Sequence, residues 1–357
     1  GELVDAAMKV EHSYSEGAPA GSRGTVGLQS TEIPSYVLLG ALRDDARDDA
    51  ASKCRSSPPF LPEVYDFGHM QTQGGGADRS SFLKMELLGP SWYDVIHDAA
   101  RAAAAAAPDV GLQALAALEY VHGKGVIHRD VKPSNVCFSR DESGEIRLID
   151  FGCAILPPKP DQLAEQGGSQ KAVPFYGTVD YAPDHMITST RPPAPIDDIY
   201  SLGYSLMEAF YGELFWYPLK GESVVDWNDG DKVAHHEMAI MEERERIIAH
   251  LKVSGVLPRF FTEWFKYADF CRDGDGKPSY RYLQVLLQEH AEELRHGPIV
   301  PVRYIKTSLH GAVSPLDSQA TLHAGSHATP RSCELGSPAR AELIQPVNPL
   351  QECVLEE

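Results

Sequence analysis

The chain has 357 residues, 43% of them hydrophobic and 23% charged, with a formal net charge of −19. That acidity argues against nucleic acid and anionic membrane as partners, because phosphates are held by Lys and Arg, and no apolar run approaches the roughly 20 residues that cross a bilayer. No secretory leader is visible, Gly1 rather than Met comes first, and the six cysteines (Cys54, Cys137, Cys153, Cys271, Cys333, Cys353) lack C-x-x-C spacing, so we expect a reduced cytoplasmic or nuclear protein whose natural N-terminus lies upstream.

In chain order, LVDAAMKVEH (3–12) reads as an apolar strand carrying Lys9. Residues 13–30, rich in Gly, Ser and Ala, read as a loop. The stretch TEIPSYVLLGALRDDAR (31–47) predicts a helix capped by Thr31, with Pro34 in its first turn and Val37, Leu38, Ala41 and Leu42 as its apolar stripe. After a polar linker (48–58), LPEVYDFGH (61–69) and SFLKMELLG (81–89) are strand candidates, joined through Gly74, Gly75 and Gly76 as in a hairpin.

From residue 90 the character turns helical. AARAAAAAAPD (99–109) is low-complexity alanine, predicted helical up to Pro108, and VGLQALAALEYVHGKG (110–125) has helical spacing that stops at glycines. Two short apolar pieces, VCF (136–138) and IRLID (146–150), precede helices expected at 197–212, 233–254, 258–271 and 278–295. From about residue 297 the chain is rich in Ser, Pro, Ala and His without an apolar period, and it is expected to be disordered. Its Ser314-Pro, Thr329-Pro and Ser337-Pro pairs are candidate phosphorylation sites, although such dipeptides are common by chance.

The stretch with the most specific chemistry is IHRDVKPSN (127–135). Transfer of a phosphoryl group to a hydroxyl needs a carboxylate to orient the hydroxyl and take its proton, cations to neutralise the migrating group, and oxygen ligands for Mg²⁺. Asp130 supplies the first, Lys132 reaches the γ-phosphate from the same side of the loop, and Asn135 is a metal ligand, with His128 and Arg129 bracing the loop. The match to H-R-D-x-x-x-x-N is complete. Downstream, Asp150-Phe151-Gly152 follows the strand-like IRLI and offers Mg²⁺ a second hard oxygen ligand.

In GTVDYAPDH (177–185), the Thr178 hydroxyl is placed to bond Asp130 and Lys132. In DDIYSLGYSLMEAF (197–210), a buried Asp198 would hold the backbone N–H groups of the catalytic loop, whereas by itself the segment reads equally as an amphipathic helix with an acidic cap. Given these motifs, Lys9 is expected to bind the α- and β-phosphates of a nucleotide, with Ala7 against the base and Glu32 as the acidic partner of the lysine.

Together these residues resemble a eukaryotic-type protein kinase, and more narrowly the casein kinase 1 superfamily, which includes the tau-tubulin and vaccinia-related kinases. KMELLGPSW (84–92) is similar to that group's hinge, M-E-L-L-G-P-S-L, and DDIYSLGY resembles D-D-L-E-S-L-G-Y. GELFWYPLKG (212–221) resembles L-P-W-Q-G-L-K, and KPSYRYLQVLL (277–287) resembles K-P-D-Y-x-Y-L. The likeness covers roughly residues 2 to 290.

The resemblance implies an α+β, bilobal kinase-like fold. A kinase domain over 1–296 would comprise a partial N-terminal β lobe (1–87) and a mostly helical C-terminal lobe (88–296), followed by a disordered tail (297–357). It implies ATP and Mg²⁺ as cofactors and a protein Ser/Thr hydroxyl as substrate, with nucleic acid and membrane excluded as partners and a monomer expected. It makes Met85 the gatekeeper, has backbone groups of Glu86 and Leu88 bond adenine, makes Cys137 the floor of the pocket, and assigns Mg²⁺ to Asn135 and Asp150.

Three departures accompany the likeness. Pro195 and Ile196 stand where casein kinase 1 carries a basic pair, with only Arg191 near, so a preference for primed substrates is not expected. Ala182-Pro183-Asp184 is closer to the general A-P-E than to S-I-N. No glycine-rich segment precedes Lys9, so this chain as written is expected to bind nucleotide weakly, and a kinase-shaped binding module is the competing reading.

Two further segments suggest metals. CRDGDGKPSYRY (271–282) has the outline of a calcium loop, with Asp273, Asp275, Gly276 and Ser279 in register, but Cys271 and Tyr282 occupy the first and last ligand positions. His235-His236 fits a solvated helix face better than a metal site.

Overall fold

A computed structural model of the chain describes residues 5–12, 28–42, 58–71, 79–141, 143–157, 174–216 and 230–296. The loop glycines at 74–76 and the Ser/Thr-Pro pairs of the tail lie outside these residues. The architecture is α+β: a three-stranded sheet with one short helix, then a body of helices with a two-stranded ribbon.

The sheet has the order β1 (Ala6–His12), β3 (Arg79–Glu86), β2 (Val64–Gln71), antiparallel throughout. In this register Lys9 stands opposite Leu83 and Ala7 opposite Met85. A bulge between Val64 and Asp66 shifts the β2 pairing. No strand among the described residues pairs with the outer edge of β1.

Helix α1 (Ile33–Leu39) is shorter than the sequence predicts and starts differently. A wide π-type turn over Leu28–Glu32 replaces the Thr31 cap, and Pro34 does sit in the first turn. Gly40, at φ 73°, adopts the left-handed conformation that glycine tolerates best, and the helix stops there. Ala41 and Leu42 then join the sheet instead of extending the apolar stripe: Val64 N–H donates to the Ala41 carbonyl at 2.8 Å. The buried face is consequently Ile33, Tyr36 and Leu39, while Val37 and Leu38 face solvent. The expected stripe fails because tertiary contacts of Glu32 and Tyr36, described below, fix the rotation of the helix.

After α2 (Trp92–Asp98), α3 runs unbroken from Ala100 to Gly123. The predicted stop at Pro108 is therefore wrong. Proline in a helix interior costs about 3 kcal/mol, but Ala103, Ala107, Val110, Ala114, Leu115 and Leu118 are all buried around it. At roughly 25 cal/mol per Å² of apolar area, burial on that scale offsets one missing bond.

The remaining elements are β4 (Val136–Phe138) paired with β5 (Ile146–Leu148), α4 (Asp184–Ile187), α5 (Pro195–Tyr211), α6 (Gly230–Val253), α7 (Arg259–Asp273), α8 (Tyr280–Glu289) and α9 (Ala291–Arg295). The expected helix at 278–295 is thus two helices meeting at His290.

Helix α5 is the axis of the body, with every residue from Ile196 to Tyr211 buried. The fully buried Trp264 donates its Nε1–H to the Ile199 carbonyl at 3.1 Å. Gly203 makes this approach possible, since a Cβ there would stand 2.5 Å from Trp264 Nε1.

Candidate active site

The segment linking α3 to β4 is held from below by Asp198, fully buried at the start of α5. Its Oδ2 accepts His128 N–H and its Oδ1 accepts Arg129 N–H, each at 2.8 Å. Burial works to raise the carboxyl's pKa, but the bonds and charges of His122 and His128 outweigh it and hold the group below the usual range. Arg129 has φ 66°, a conformation unusual outside glycine, and its Nε donates to the Cys153 carbonyl at 2.6 Å. The reading of His128 and Arg129 as bracing residues agrees with this geometry. The His128 ring, fully buried, bonds the Ile149 carbonyl at 3.0 Å and packs 4.7 Å from the Phe151 ring.

The loop so anchored brings four of the expected side chains together. Thr178 Oγ1 donates to Asp130 Oδ1 at 2.7 Å, and Lys132 Nζ donates to Thr178 Oγ1 at 2.8 Å. Lys132 Nζ also lies 2.8 Å from Asp130 Oδ2. Asn135 spends its amide N–H groups on the Asp130 carbonyl, at 2.8 Å, and on Asp130 Oδ2, at 3.1 Å, which leaves its amide oxygen as the acceptor. Thr178 reaches this cluster because Gly177 precedes it: a Cβ at Gly177 would stand 2.6 Å from the Arg129 carbonyl oxygen, and the φ there is 142°.

The second constellation spans the cleft between sheet and body. Lys9 Nζ bonds Glu32 Oε2 at 2.7 Å and Asp150 Oδ1 at 2.9 Å. The Lys9–Glu32 pair that the sequence suggests is thus present, on a helix that starts in an unpredicted way. One ammonium affects two carboxyls differently. Glu32 is 2% exposed, and burial raises its pKa despite Lys9, whereas Asp150, 40% exposed, has its burial outweighed by Lys9 and falls below the ordinary value. For Lys9 itself burial works downward, and Glu32, then Asp150, outweigh it and raise the pKa.

The bonds to the Asp150 side chain from Lys9 and from Gly152 N–H both go to Oδ1. Oδ2 is left without a partner among the described residues. That oxygen and the amide oxygen of Asn135 are both hard donors, of the type that fits Mg²⁺. No cluster of three or more His, Cys, Asp or Glu suited to a metal occurs among the described residues. In the calcium-loop outline at 271–282, Asp273 pairs with Arg272 and Arg191, and Asp275 accepts Lys277 N–H.

The expected base-binding residues surround the linker between sheet and body. Ala7 and Met85 face one another across β1 and β3 and are half-buried. Glu86 gives its N–H to the Glu63 carbonyl at 2.8 Å, and its carboxylate lies 3.5 Å from Arg147 Nε. The linker is pinned to β4 by Gly89 N–H on the Phe138 carbonyl, at 2.8 Å, whereas the backbone N–H and C=O of Leu88 have no partner among the described residues. Cys137, on β4 beside Ser91, is buried, and burial pushes its thiol up to about 11, so it presents a neutral surface.

Sequence reasoning missed Tyr36. It is fully buried on α1, its hydroxyl accepts Asp150 N–H at 3.3 Å, and its ring meets Phe151 edge-on at 5.2 Å. The only signal was its place four residues after Glu32, one helical turn on. A cavity of about 650 Å³ lies elsewhere, between α4, α5, α6 and α7. It holds the ion pairs Arg244–Asp184 and Arg272–Asp269, and it contains none of the residues of the two constellations.

The sequence model described as the protein kinase domain matches residues 66–262. The chain is similar to a serine/threonine-protein kinase PknB of Mycolicibacterium smegmatis, 31% identical over 194 residues, covering 54% of this chain and 28% of that protein. It is similar to a serine/threonine-protein kinase PknA of Mycobacterium tuberculosis, 30% identical over 169 residues (47% and 36%). A probable serine/threonine-protein kinase PknB of Bifidobacterium longum is 31% identical over 186 residues (50% and 25%). The matched stretch therefore spans about a quarter to a third of those relatives.

Proposed function

The chain belongs to the protein kinase family, and from that premise we propose that it is a serine/threonine kinase transferring the γ-phosphoryl group of ATP to a protein hydroxyl. The observation that carries this reading is the Asp130–Thr178–Lys132 triangle, standing on the Asp198 anchor beside the Lys9–Glu32–Asp150 bridge. The names of the relatives, serine/threonine-protein kinases, support it.

In this reading Asp130 receives the substrate hydroxyl and accepts its proton at Oδ2 or Oδ1. Thr178 and Lys132 hold that carboxylate in one rotamer, and the Lys132 ammonium neutralises charge on the migrating group. Lys9 holds the α- and β-phosphates while Glu32 keeps it from folding back. Asn135 and Asp150 would hold Mg²⁺, which when bound supplies positive charge to the phosphate oxygens. Ala7, Met85 and Cys137 give the base an apolar slot, and the free backbone groups of Leu88 and the carbonyl of Glu86 give it hydrogen bonds.

The narrower reading, a casein kinase 1-like enzyme, rests on the KMELLGPSW and DDIYSLGY segments. With it go a kinase domain over 1–296 and a cytoplasmic or nuclear location, both of which we carry as part of the proposal. The competing reading is a kinase-shaped binding module.

One experiment separates them. Thermal-shift titration with Mg²⁺-ATP is run on the wild type and on Asp150→Ala, alongside transfer of labelled phosphate to casein. The kinase reading expects a shift that Asp150→Ala abolishes and label on Ser or Thr that Asp130→Asn lowers at least about a hundredfold. A nucleotide-dependent shift with no transfer to any protein substrate leaves the binding module as the function.

A further inference from the structure

The loop before α8, which imitates a calcium site in sequence, presents a side chain to the far end of the anchor beneath the catalytic loop. Gly276, at φ 72°, accepts Ile196 N–H through its carbonyl at 3.1 Å, which ties the loop to the start of α5. Ser279 caps α8, and its own N–H donates to the Tyr267 hydroxyl at 2.7 Å. Tyr280, the first residue of α8, is thereby aimed at the last turn of α3, where its hydroxyl bonds His122 Nδ1. His122 Nε2 in turn lies 2.7 Å from Asp198 Oδ2, the oxygen that also receives His128 N–H.

We propose that Tyr280 is a positioning residue for the catalytic loop, acting through His122 and Asp198. The claim rests on the kinase reading above for its effect on turnover, but not for its structural content. Asp198 is ionised, so it can only accept, and His122 must donate to it from Nε2. A neutral imidazole then has its lone pair at Nδ1, and the Tyr280 hydroxyl fills that position as donor. The arrangement fixes one tautomer and one ring orientation, and so fixes the direction from which Asp198 is pulled.

Asp198 receives three N–H donors in all, from His122, His128 and Arg129. Two of them belong to the residues immediately before Asp130. Without the hydroxyl, the Nδ1 lone pair loses its donor and the ring can rotate. The loop then inherits that freedom at the left-handed Arg129. Besides Asp198 and His128, the ionisable groups acting on this relay are Glu119 on α3 and Tyr267 on α7.

The test uses the full chain labelled with nitrogen-15 at histidine, with His122 assigned through His122→Gln. The wild type at about pH 7 is expected to show a protonated Nε2 and an unprotonated, hydrogen-bonded Nδ1. Tyr280→Phe is expected to move the Nδ1 resonance toward that of a free acceptor. It is also expected to lower kcat about tenfold, the effect of one buried hydrogen bond, with KM for Mg²⁺-ATP within about twofold. Tyr282→Phe, on the same helix, serves as the control expected to change neither.

Protons on both ring nitrogens of the wild type overturn the proposal, as does a folded Tyr280→Phe protein with an unmoved Nδ1 resonance or an unchanged kcat. A wild type that transfers no phosphate defeats the kinase reading alone, and the ring-nitrogen signature still decides the relay.

Discussion

The hydroxyl of Tyr36 accepts the backbone N–H of Asp150 at 3.3 Å, so helix α1 grips the residue that carries this carboxylate through its own peptide. The tyrosine is fully buried, and burial raises its pKa well above the ordinary value, so it stays a neutral phenol. Asp150 itself sits at φ 62°, a conformation that needs outside support. We expect Tyr36→Phe to fold normally and to lower kcat/KM for Mg²⁺-ATP about three- to tenfold, the range for one lost hydrogen bond. Steady-state kinetics at fixed peptide concentration check it, and an unchanged kcat/KM would remove Tyr36 from the site.

Replacing Lys9 with Met should do two things. It should abolish the thermal shift with Mg²⁺-ATP, and it should leave Glu32 buried at 2% exposure without its cation. An unpaired buried polar group costs about 1–3 kcal/mol. Because burial already raises the Glu32 pKa and Lys9 restrains it, the variant's Glu32 should titrate higher still. A carboxyl whose folded pKa lies above its unfolded one weakens the fold at high pH and stops doing so as pH falls through the folded value. Lys9→Met should therefore regain stability relative to wild type as pH falls from neutral toward the ordinary carboxyl range, as read by paired thermal melts.

Asp198 predicts the opposite trend in the unmodified protein. Its folded pKa is depressed, so its contribution is fully present above the unfolded value of about 3.9 and is lost as pH falls through the folded one. Acid titration should show the melting temperature dropping below about pH 4. Asp198→Asn should flatten that part of the curve and lower turnover at neutral pH at least about tenfold, since one of its bonds to the loop or to His122 must be lost.

Gly177→Ala places a Cβ 2.6 Å from the Arg129 carbonyl oxygen, which is backbone and cannot swing aside. The variant should keep its secondary structure by circular dichroism and lose turnover about tenfold or more, because Thr178 can no longer reach Asp130 at 2.7 Å. Activity equal to wild type would mean that the Thr178 contact is dispensable.

Gly203→Ala makes a prediction about the body alone. The added methyl meets Trp264 Nε1 at 2.5 Å and its Cδ1 at 2.8 Å. Overpacking of this kind costs about 1–3 kcal/mol, measurable by urea denaturation, with kinetic constants little changed at low temperature.

Much of the site was legible because its residues lie in contiguous motifs. Asp130, Lys132 and Asn135 fall within six positions, and the local backbone alone puts them on one side of a loop. Asp150 follows a strand and Thr178 follows a glycine, both readable by type and spacing. Lys9 and Glu32 were readable as a pair of candidates, although the helix carrying Glu32 was drawn with the wrong cap, the wrong length and the wrong apolar face. Tyr36 and Tyr280 were not readable. Each is an ordinary helix aromatic until its hydroxyl finds a partner 114 or 158 positions away in sequence.

By itself the sequence determined which chemical groups this chain owns and the short-range order in which they occur, because hydrogen-bonding type and local spacing are properties of the residues and of a few neighbouring dihedrals. Only the tertiary structure decided that α3 passes through Pro108, that α1 turns Tyr36 rather than Val37 inward, and that Asp198, His122 and Tyr280 form one relay. Those outcomes depend on area buried between segments distant along the chain and on which donor meets which acceptor there, and no local pattern fixes either.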